Sequence, residues 1–453
     1  MARRKAKRAS SWIVLIAGWL LVAPASAAYA AGALAASDRS QVPPRVGHAA
    51  RYGVSPKPLR EIRIDSRGPS TPEPPRILEA PSAPRPPGGR HETDPVLQMR
   101  PSPSAPAELL QFDGATENDN LPFSGKEFVP PDANGAAGPS HYFQTINVVF
   151  RVFDKSGNLV LGPLPNASLW TGLGGICETS DAKTPYVKYD ILAGRWFVSQ
   201  GAFDSSDGSS HQCIAVSTTD DPTGTYSRYD FVIDVSSSAT KSRFGIWPEA
   251  YYMTVNQFAG FNPAGFGIYA FDRIAILSGG PATYQYVNPG VTNPSSIWGL
   301  PSDLDGVTPP PPGSPNVSIA LGADFIDGSP NDLIHIWKFH ADFGNPGNAT
   351  FEGPVDVPIA PFDALDCGNA NLGQGCVPQL DSDQLIQANP SILMYRLAYR
   401  NFGTYESLVT NFTVDGAAGD NRAAVRWFEV RDPNGVPSVY QEGTYVPDDS
   451  HRF

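Results

Sequence analysis

Short apolar runs separated by polar turns make up most of the chain after about residue 108. The runs are about four to eight residues long and rich in β-branched and aromatic residues, which predicts β-strands. The intervening turns predict antiparallel connections; they include DKSGN, DDPTG, NPGN and DPNG. The 3.6-residue period of a helix is almost absent, and DRIAIL is the one stretch that predicts a helical turn or two.

The runs recur as a unit. Each unit has an apolar strand, a loop, a second apolar strand ending in a polar corner, a turn, and a short strand with an aromatic residue. Those aromatic residues are Tyr226, Tyr284, Phe351 and Tyr440. Five units are visible, and they begin at HYFQTIN, GRWFVSQGAF, AYYMTVN, VSIALGADF and LMYRLAYRNF. The repetition predicts an all-β, β-propeller-like fold of about five four-stranded units, with a large sandwich as the alternative.

The first 108 residues lack this pattern. A basic start, the apolar run SWIVLIAGWLLVA and Ala25-Ser26-Ala27 have the features of a signal peptide, which predicts export with cleavage near Ala27. The run is shorter than the ~20 apolar residues that span a bilayer, so no transmembrane segment is expected after cleavage. Residues 28–108 are rich in proline and have no sustained period, which predicts a disordered linker. The folded domain is then expected at 109–453.

Charge changes the picture of possible partners. The whole chain has 33 Lys and Arg against 45 Asp and Glu, and most of the acidic excess lies in the predicted domain. An acidic domain repels phosphate backbones and anionic membranes, so nucleic acid is excluded as a partner. An extracellular glycan or protein remains as the expected partner.

Four cysteines lie in the predicted domain, an even number in a protein expected to be exported. CGNANLGQGC is a flexible loop whose ends can meet, so Cys367 is expected to pair with Cys376, and Cys177 with Cys213. Loop-closure arithmetic gives roughly 3 kcal/mol for the short loop and roughly 4 kcal/mol for the long one. A cysteine nucleophile or thiolate metal site is the alternative, but no CxxC pair supports it.

Three loops place oxygen ligands beside glycine, the pattern that calcium takes in flexible loops. The candidate metal ligands are Asp132 and Asn134 in PDANG, Asp204 and Asp207 in DSSDG, and Asp303 and Asp305 in SDLDG. The same residue types also form ordinary tight turns. Calcium is the one cofactor that the sequence suggests.

The chain contains no HExxH, P-loop, GxSxG or dinucleotide-binding motif, which removes the familiar enzyme classes that these mark. Propeller glycosidases gather acids, arginines and a tyrosine at one face of the ring, and hydrolysis needs a suitably spaced carboxylate pair. Residues of these types here are Asp190, Arg195, Arg243, Glu249, Tyr395, Arg396, Arg400 and Glu406. Ordinary ion pairs at strand ends are the alternative interpretation of the same residues.

Eight stretches in one order resemble a family of large secreted bacterial proteins of uncharacterised function. They include PPDANGAAGPSHYFQTIN, CIAVSTTDDPTGTY, MYRLAYRNFG and YQEGTYVPDDSHRF, and the resemblance covers nearly all of the chain from about Phe128. It implies an extracellular, β-propeller-like protein of a kind often joined to adhesion modules. Similar proteins continue beyond the SHRF motif, so the resemblance also implies a ring that is incomplete at the C-terminus.

Two function classes follow from these observations. Export, the repeats and the missing catalytic motifs favour a secreted or cell-surface, non-catalytic binding module. The alternative is an extracellular carbohydrate-active enzyme, a glycoside hydrolase or lyase, with its site at one face of the propeller. The sequence leaves enzymatic activity open and favours its absence.

Overall fold

The computed structural model describes residues 44–64, 76–77, 94–98, 108–125, 127–180, 183–234, 238–259, 262–290, 299–324, 326–365, 377–379, 382–386, 392–416 and 422–446. The predicted signal peptide at 1–27 lies outside these residues. So do Cys367 and Cys376, whose predicted pairing stays a prediction.

Strands dominate the described residues. In chain order they are β1 (Arg45–Val54), β2 (Arg76–Ile77), β3 (Leu97–Gln98), β4 (Phe128–Val129), β5 (Asn134–Ala137), β6 (His141–Thr145), β7 (Val149–Asp154), β8 (Leu159–Pro165), β9 (Lys183–Asp190), β10 (Arg195–Asp204), β11 (Ser209–Ser217), β12 (Tyr226–Asp234), β13 (Ser238–Ile246), β14 (Ala250–Ala259), β15 (Asn262–Asp272), β16 (Thr283–Val287), β17 (Leu300–Leu304), β18 (Asn316–Gly322), β19 (Leu333–His340), β20 (Thr350–Pro358), β21 (Val377–Gln379), β22 (Ser382–Ile386), β23 (Leu393–Asn401), β24 (Glu406–Asp415), β25 (Ala423–Arg431) and β26 (Ser438–Tyr445). The α-helices are α1 (Leu121–Ser124), α2 (Ile176–Thr179) and α3 (Arg273–Ser278), and 3-10 turns lie at Leu59–Glu61, Glu117–Asn120, Asn166–Trp170 and Pro346–Asn348. The helical turn predicted at DRIAIL is α3.

Five antiparallel four-stranded units build the fold, as predicted from the repeats: β5–β8, β9–β12, β13–β16, β17–β20 and β23–β26. The first strands of consecutive units contact one another, and β17 and β23 pair in parallel. We call β5, β9, β13, β17 and β23 the axial strands. This arrangement around a shared axis makes the fold all-β and β-propeller-like.

Aromatic residues pack between the units. Trp170, Trp196, Trp247 and Trp337 are almost completely buried. Three hydrophobic clusters fill the space between units one and two, units two and three, and units three to five. Because each large side chain contributes roughly 1.5–3 kcal/mol on burial, packing between units is a main source of stability.

The predicted disordered linker is wrong for residues 44–64 and 94–98. Strand β1 lies between β12 and β16 and joins the outer edges of units two and three. Its side chains are mostly exposed, because it contributes backbone hydrogen bonds rather than a buried face. The folded domain therefore begins well before residue 109. Strand β1 was not predicted, because its segment has the composition of a linker.

The outer edge of unit five is also covered by this segment. Strand β3 pairs in parallel with the end of β26 at Thr444 and Tyr445. The fully buried Arg426 donates to both carboxylate oxygens of Asp94 at 3.0 Å. Part of the edge that an incomplete ring would leave bare is therefore paired with an upstream strand.

The disulfide predicted between Cys177 and Cys213 is confirmed. It joins α2 to β11 and thereby attaches the connection between units one and two to the second unit. No described helix is long and apolar enough to cross a membrane.

Candidate active site at the mouth of the axis

Three residues just before or in the first half of successive axial strands have left-handed backbone conformations. Asp132 has φ 45°, Thr184 has φ 50° and Lys241 has φ 55°. Each costs about 1–2 kcal/mol because none is glycine. Such conformations cluster at functional sites, and here they recur in three units at one end of the axis. We call this end the mouth.

Two residues further along, the axial strands present the side chains of the mouth. Tyr186 is buried, and burial raises the pKa of its phenol; Arg243 lowers that pKa and Asp132 raises it. Burial lowers the pKa of the Arg243 guanidinium, while Tyr186 and Asp132 oppose that shift. The three groups thus share one electrostatic environment although they come from three units.

Hydrogen bonds fix these side chains. Asn147 Nδ2 donates to Asp132 Oδ2 at 3.1 Å, and Arg243 Nη1 donates to the carbonyl oxygen of Lys241 at 3.1 Å. Asn134 Oδ1 accepts from the backbone N–H of Val187 at 2.8 Å and joins units one and two. The partly exposed Asp132 is therefore held in place while it faces solvent.

A second layer lies deeper along the axis, and we call it the floor. The Tyr395 ring contacts the Tyr186 ring with 5.1 Å between centroids, and Lys188 Nζ lies 4.9 Å from the Tyr395 centroid. Lys188 Nζ donates to Asp303 Oδ2 at 2.6 Å. Asp303 Oδ1 accepts from the backbone N–H of Ile246 at 3.0 Å. The floor thus connects units two to five.

The charges of the floor are paired. Lys188 and Asp303 are both buried, and Arg396 Nε lies 3.5 Å from Asp303 Oδ2. Burial lowers the pKa of the Lys188 ammonium, an effect that Asp303 opposes and Arg396 strengthens. Arg396 also pairs with Asp305, which lies 3.7 Å from Arg400. This network thus joins charged side chains from units two, four and five.

Of the candidates for glycan chemistry, Arg243, Tyr395 and Arg396 lie in the mouth or the floor, and Arg400 lies at the exposed end of the floor network. The other four candidates have partners elsewhere. Asp190 accepts from Arg273 at 2.7 and 3.0 Å and from the Tyr251 hydroxyl at 2.9 Å, an ordinary buried ion pair. Arg195 donates to carbonyl oxygens of its own turn.

Two further predicted carboxylates have local partners. Glu406 bonds Tyr399 and Asn434. Glu249 accepts from the Tyr252 hydroxyl at 2.8 Å and lies 3.6 Å from His340 Nδ1. Glu249 lines a pocket of about 530 Å³ between units three and four, together with Asp272, Ile274, Ala275, Ser278, His340, Ala341, Asp342, Phe343 and Gly344. Neither carboxylate reaches the mouth by any described contact.

The predicted calcium ligands also have partners within the protein. Asp204 and Asp207 accept from Ser206 and Ser209 within their own turn. Around Asp303 and Asp305, the cations are the side chains of Lys188 and Arg396. Among the described residues, no group of three or more His, Cys, Asp or Glu side chains is arranged to hold a metal. Calcium binding stays a prediction from sequence.

Sequence reasoning missed Tyr186 and Lys188. Both lie in KTPYVKYD, where Tyr186, Lys188 and Asp190 alternate along β9 and therefore lie on one face of the strand. The alternation of polar residues was the available signal.

No protein-family model matches the sequence, and no curated protein does. Solved structures show low similarity. An exo-β-1,3-galactanase from Clostridium thermocellum is 10% identical with a TM-score of 0.33, covering 70% of this chain and 65% of that one. One from Phanerochaete chrysosporium is 11% identical with a TM-score of 0.33, covering 70% and 64%. An α-L-arabinofuranosidase from Lactobacillus brevis is 10% identical with a TM-score of 0.34, covering 71% and 95%.

These similar structures are glycoside hydrolases, so the comparisons do not support the predicted non-catalytic binding module. The similarity concerns the fold alone, because identities of 10–12% and TM-scores near 0.33 support neither a substrate nor a mechanism for this chain.

Proposed function

We propose that the protein is an extracellular enzyme that cleaves glycosidic bonds at the mouth of the axis. One observation carries the proposal: three units place Asp132, Tyr186 and Arg243 at the same end, beside left-handed backbone in each unit. The carboxyl group can transfer a proton, which cleavage at a glycosidic oxygen requires. The phenol and the guanidinium donate hydrogen bonds, which binding of a sugar ring requires.

Asp132 is the proton-transfer group of the proposal. Its carboxylate is partly exposed, and Asn147 fixes one oxygen. A positioned acid or base of this kind typically contributes 10²–10⁴-fold to a rate. The left-handed backbone at Asp132 fixes where the carboxylate lies relative to a bound sugar.

Tyr186 and Arg243 bind the substrate in this proposal. Burial raises the pKa of the Tyr186 phenol, so it stays protonated at neutral pH and donates a hydrogen bond. Arg243 offers a guanidinium fork that suits sugar hydroxyl or carboxylate oxygens. The floor limits how deeply a sugar enters.

The predicted signal peptide agrees with an extracellular glycan as substrate. Hydrolysis would use Asp132 with a second acid or a tyrosine, whereas elimination would use a base together with groups that neutralise a sugar carboxylate. The products separate the two reactions, because only elimination leaves an unsaturated sugar that absorbs in the ultraviolet.

The test measures reducing ends released from a panel of bacterial and plant polysaccharides by the full chain. Asp132→Asn keeps the shape and removes the charge, and we expect it to lower the rate by at least about 100-fold. Asp432→Asn is the matched control, because Asp432 also has a left-handed backbone, with φ 51°, in the turn between β25 and β26. Cleavage that is unchanged in Asp132→Asn, or no cleavage of any panel member, would overturn the proposal.

A further inference from the structure

A serine, a histidine and an aspartate form a hydrogen-bonded chain in unit two, away from the mouth. Ser209 Oγ lies 2.8 Å from His211 Nε2, and His211 Nδ1 lies 2.6 Å from Asp230 Oδ1. The order of atoms is hydroxyl, Nε2, Nδ1, carboxylate. The same order of groups is found where a serine nucleophile is paired with a histidine base and an orienting carboxylate.

Local structure explains the arrangement. Ser209 and His211 are two residues apart on β11, so their side chains lie on the same face of the strand. Asp230 lies on the neighbouring strand β12, opposite Cys213. The pairing of β11 with β12, which has a register shift between Ser210 and His211, therefore brings all three groups together.

Asp230 also has a cationic neighbour. Arg51 of β1 lies 3.5 Å from Asp230 Oδ2, and Asp230 is completely buried. Gly175, with φ 79°, leaves room for this guanidinium, since a Cβ there would lie 2.5 Å from Arg51 Nη1. When Asp230 accepts the hydrogen bond from His211 Nδ1, His211 Nε2 is left to accept the hydroxyl proton of Ser209.

Asp207 is the competing acceptor. Its Oδ1 lies 2.6 Å from Ser209 Oγ and also accepts the Ser209 backbone N–H at 2.9 Å. Ser209 Oγ is therefore within hydrogen-bonding distance of both acceptors. Ser209 itself is 3% exposed, directly after an exposed turn at 205–207.

We propose that Ser209, His211 and Asp230 form a second active site that hydrolyses small acyl esters. Ser209 Oγ attacks the carbonyl carbon while His211 Nε2 takes the hydroxyl proton. The bond to the alcohol oxygen breaks, and the alcohol leaves with that proton. Water then attacks the acyl-serine, His211 transfers a proton from the water to Ser209 Oγ, and the carboxylic acid is released.

The test incubates the full chain with a fluorophosphonate probe and maps the adduct by peptide mass spectrometry. We expect one adduct, on Ser209, formed at least about 100-fold more slowly in His211→Gln. Ser206→Ala is the matched control, because Ser206 is an exposed serine on the same turn that bonds Asp204. Its labelling rate should equal that of the wild type.

The wild-type adduct decides the question even if a variant does not fold, which circular dichroism reports. No adduct, an adduct on another residue, or an unchanged rate in folded His211→Gln would overturn the proposal. Asp207→Ala separates the two acceptors. Labelling should be retained or faster in that variant, and its loss would make Asp207 the base and overturn the role of His211.

Discussion

The mouth and the floor of the axis contain the same residue types, but they differ in charge pairing and in exposure to solvent. In the floor, Lys188, Asp303 and Arg396 neutralise one another, and the backbone N–H of Ile246 completes the bonds of Asp303. In the mouth, Asp132 is partly exposed and its backbone is left-handed. Paired, buried charge is typical of structure, whereas strained and exposed polar groups are typical of function.

The largest expected effect is on the floor. Asp303→Asn leaves the Lys188 ammonium buried without its carboxylate, which should lower the free energy of unfolding by about 3–5 kcal/mol. Urea denaturation measures this, with Asp305→Asn as the control, because the Asp305 side chain is 42% exposed. A change below about 1 kcal/mol in Asp303→Asn would contradict the structural role of the floor.

A pH titration gives the next largest effect, at an ion-pair network outside the axis. His335 lies 2.6 Å from Asp327 and 2.7 Å from Asp356. Burial lowers the pKa of His335, but the two carboxylates outweigh it and raise that pKa from 6.5 to about 9. The resulting stability is fully present below pH ~6.5 and is lost as pH rises through ~9, on the order of 3 kcal/mol.

His335→Gln should remove that pH dependence. Thermal or urea unfolding of both proteins between pH 6 and 10 measures the difference. If the free energy of unfolding changes equally with pH in the two proteins, a paired network of the floor type does not stabilise this fold.

Relief of strain at the mouth should have a smaller effect of opposite sign. Lys241→Gly removes the cost of the left-handed backbone and should raise the free energy of unfolding by about 1 kcal/mol. Glycan cleavage should fall, because the mouth becomes less rigid. A variant that loses stability would show that Lys241 has a structural role, as the floor residues do.

The smallest effect is expected at the exposed end of the network. Arg400 is half exposed and lies 3.7 Å from Asp305, so Arg400→Ala should change the free energy of unfolding by less than about 0.5 kcal/mol. Cleavage should be unchanged. A larger loss of unfolding free energy, measured by urea denaturation, would show that Arg400 stabilises the fold as the floor residues do.

The sequence predicted the outer strands of each unit and one axial strand, β23, but not the other four axial strands. HYFQTIN is β6 and its neighbours, and the aromatic residues Tyr226 and Tyr284 lie in fourth strands as expected. The axial strands carry polar side chains toward the axis, so LPSDL in β17 has no apolar pattern. Strand β1 was missed because backbone pairing has no compositional signature.

The candidate site was predictable only in residue types. Arg243, Tyr395 and Arg396 were among the expected residues, and Asp303, a candidate calcium ligand in the sequence, pairs with Lys188. Spacing along the chain does not show which units meet at the axis. The left-handed backbone at Thr184 and Lys241, which marks the mouth, has no sequence signal because neither residue is glycine.

A crystal structure of Asp132→Asn with oligosaccharides from a partial polysaccharide digest tests the central claim most directly. We predict a sugar ring at the mouth, within hydrogen-bonding distance of residue 132 and Arg243 and above the Tyr186 ring. Sugar found instead in the pocket beside Glu249 and His340, with the mouth holding only water, would contradict the account.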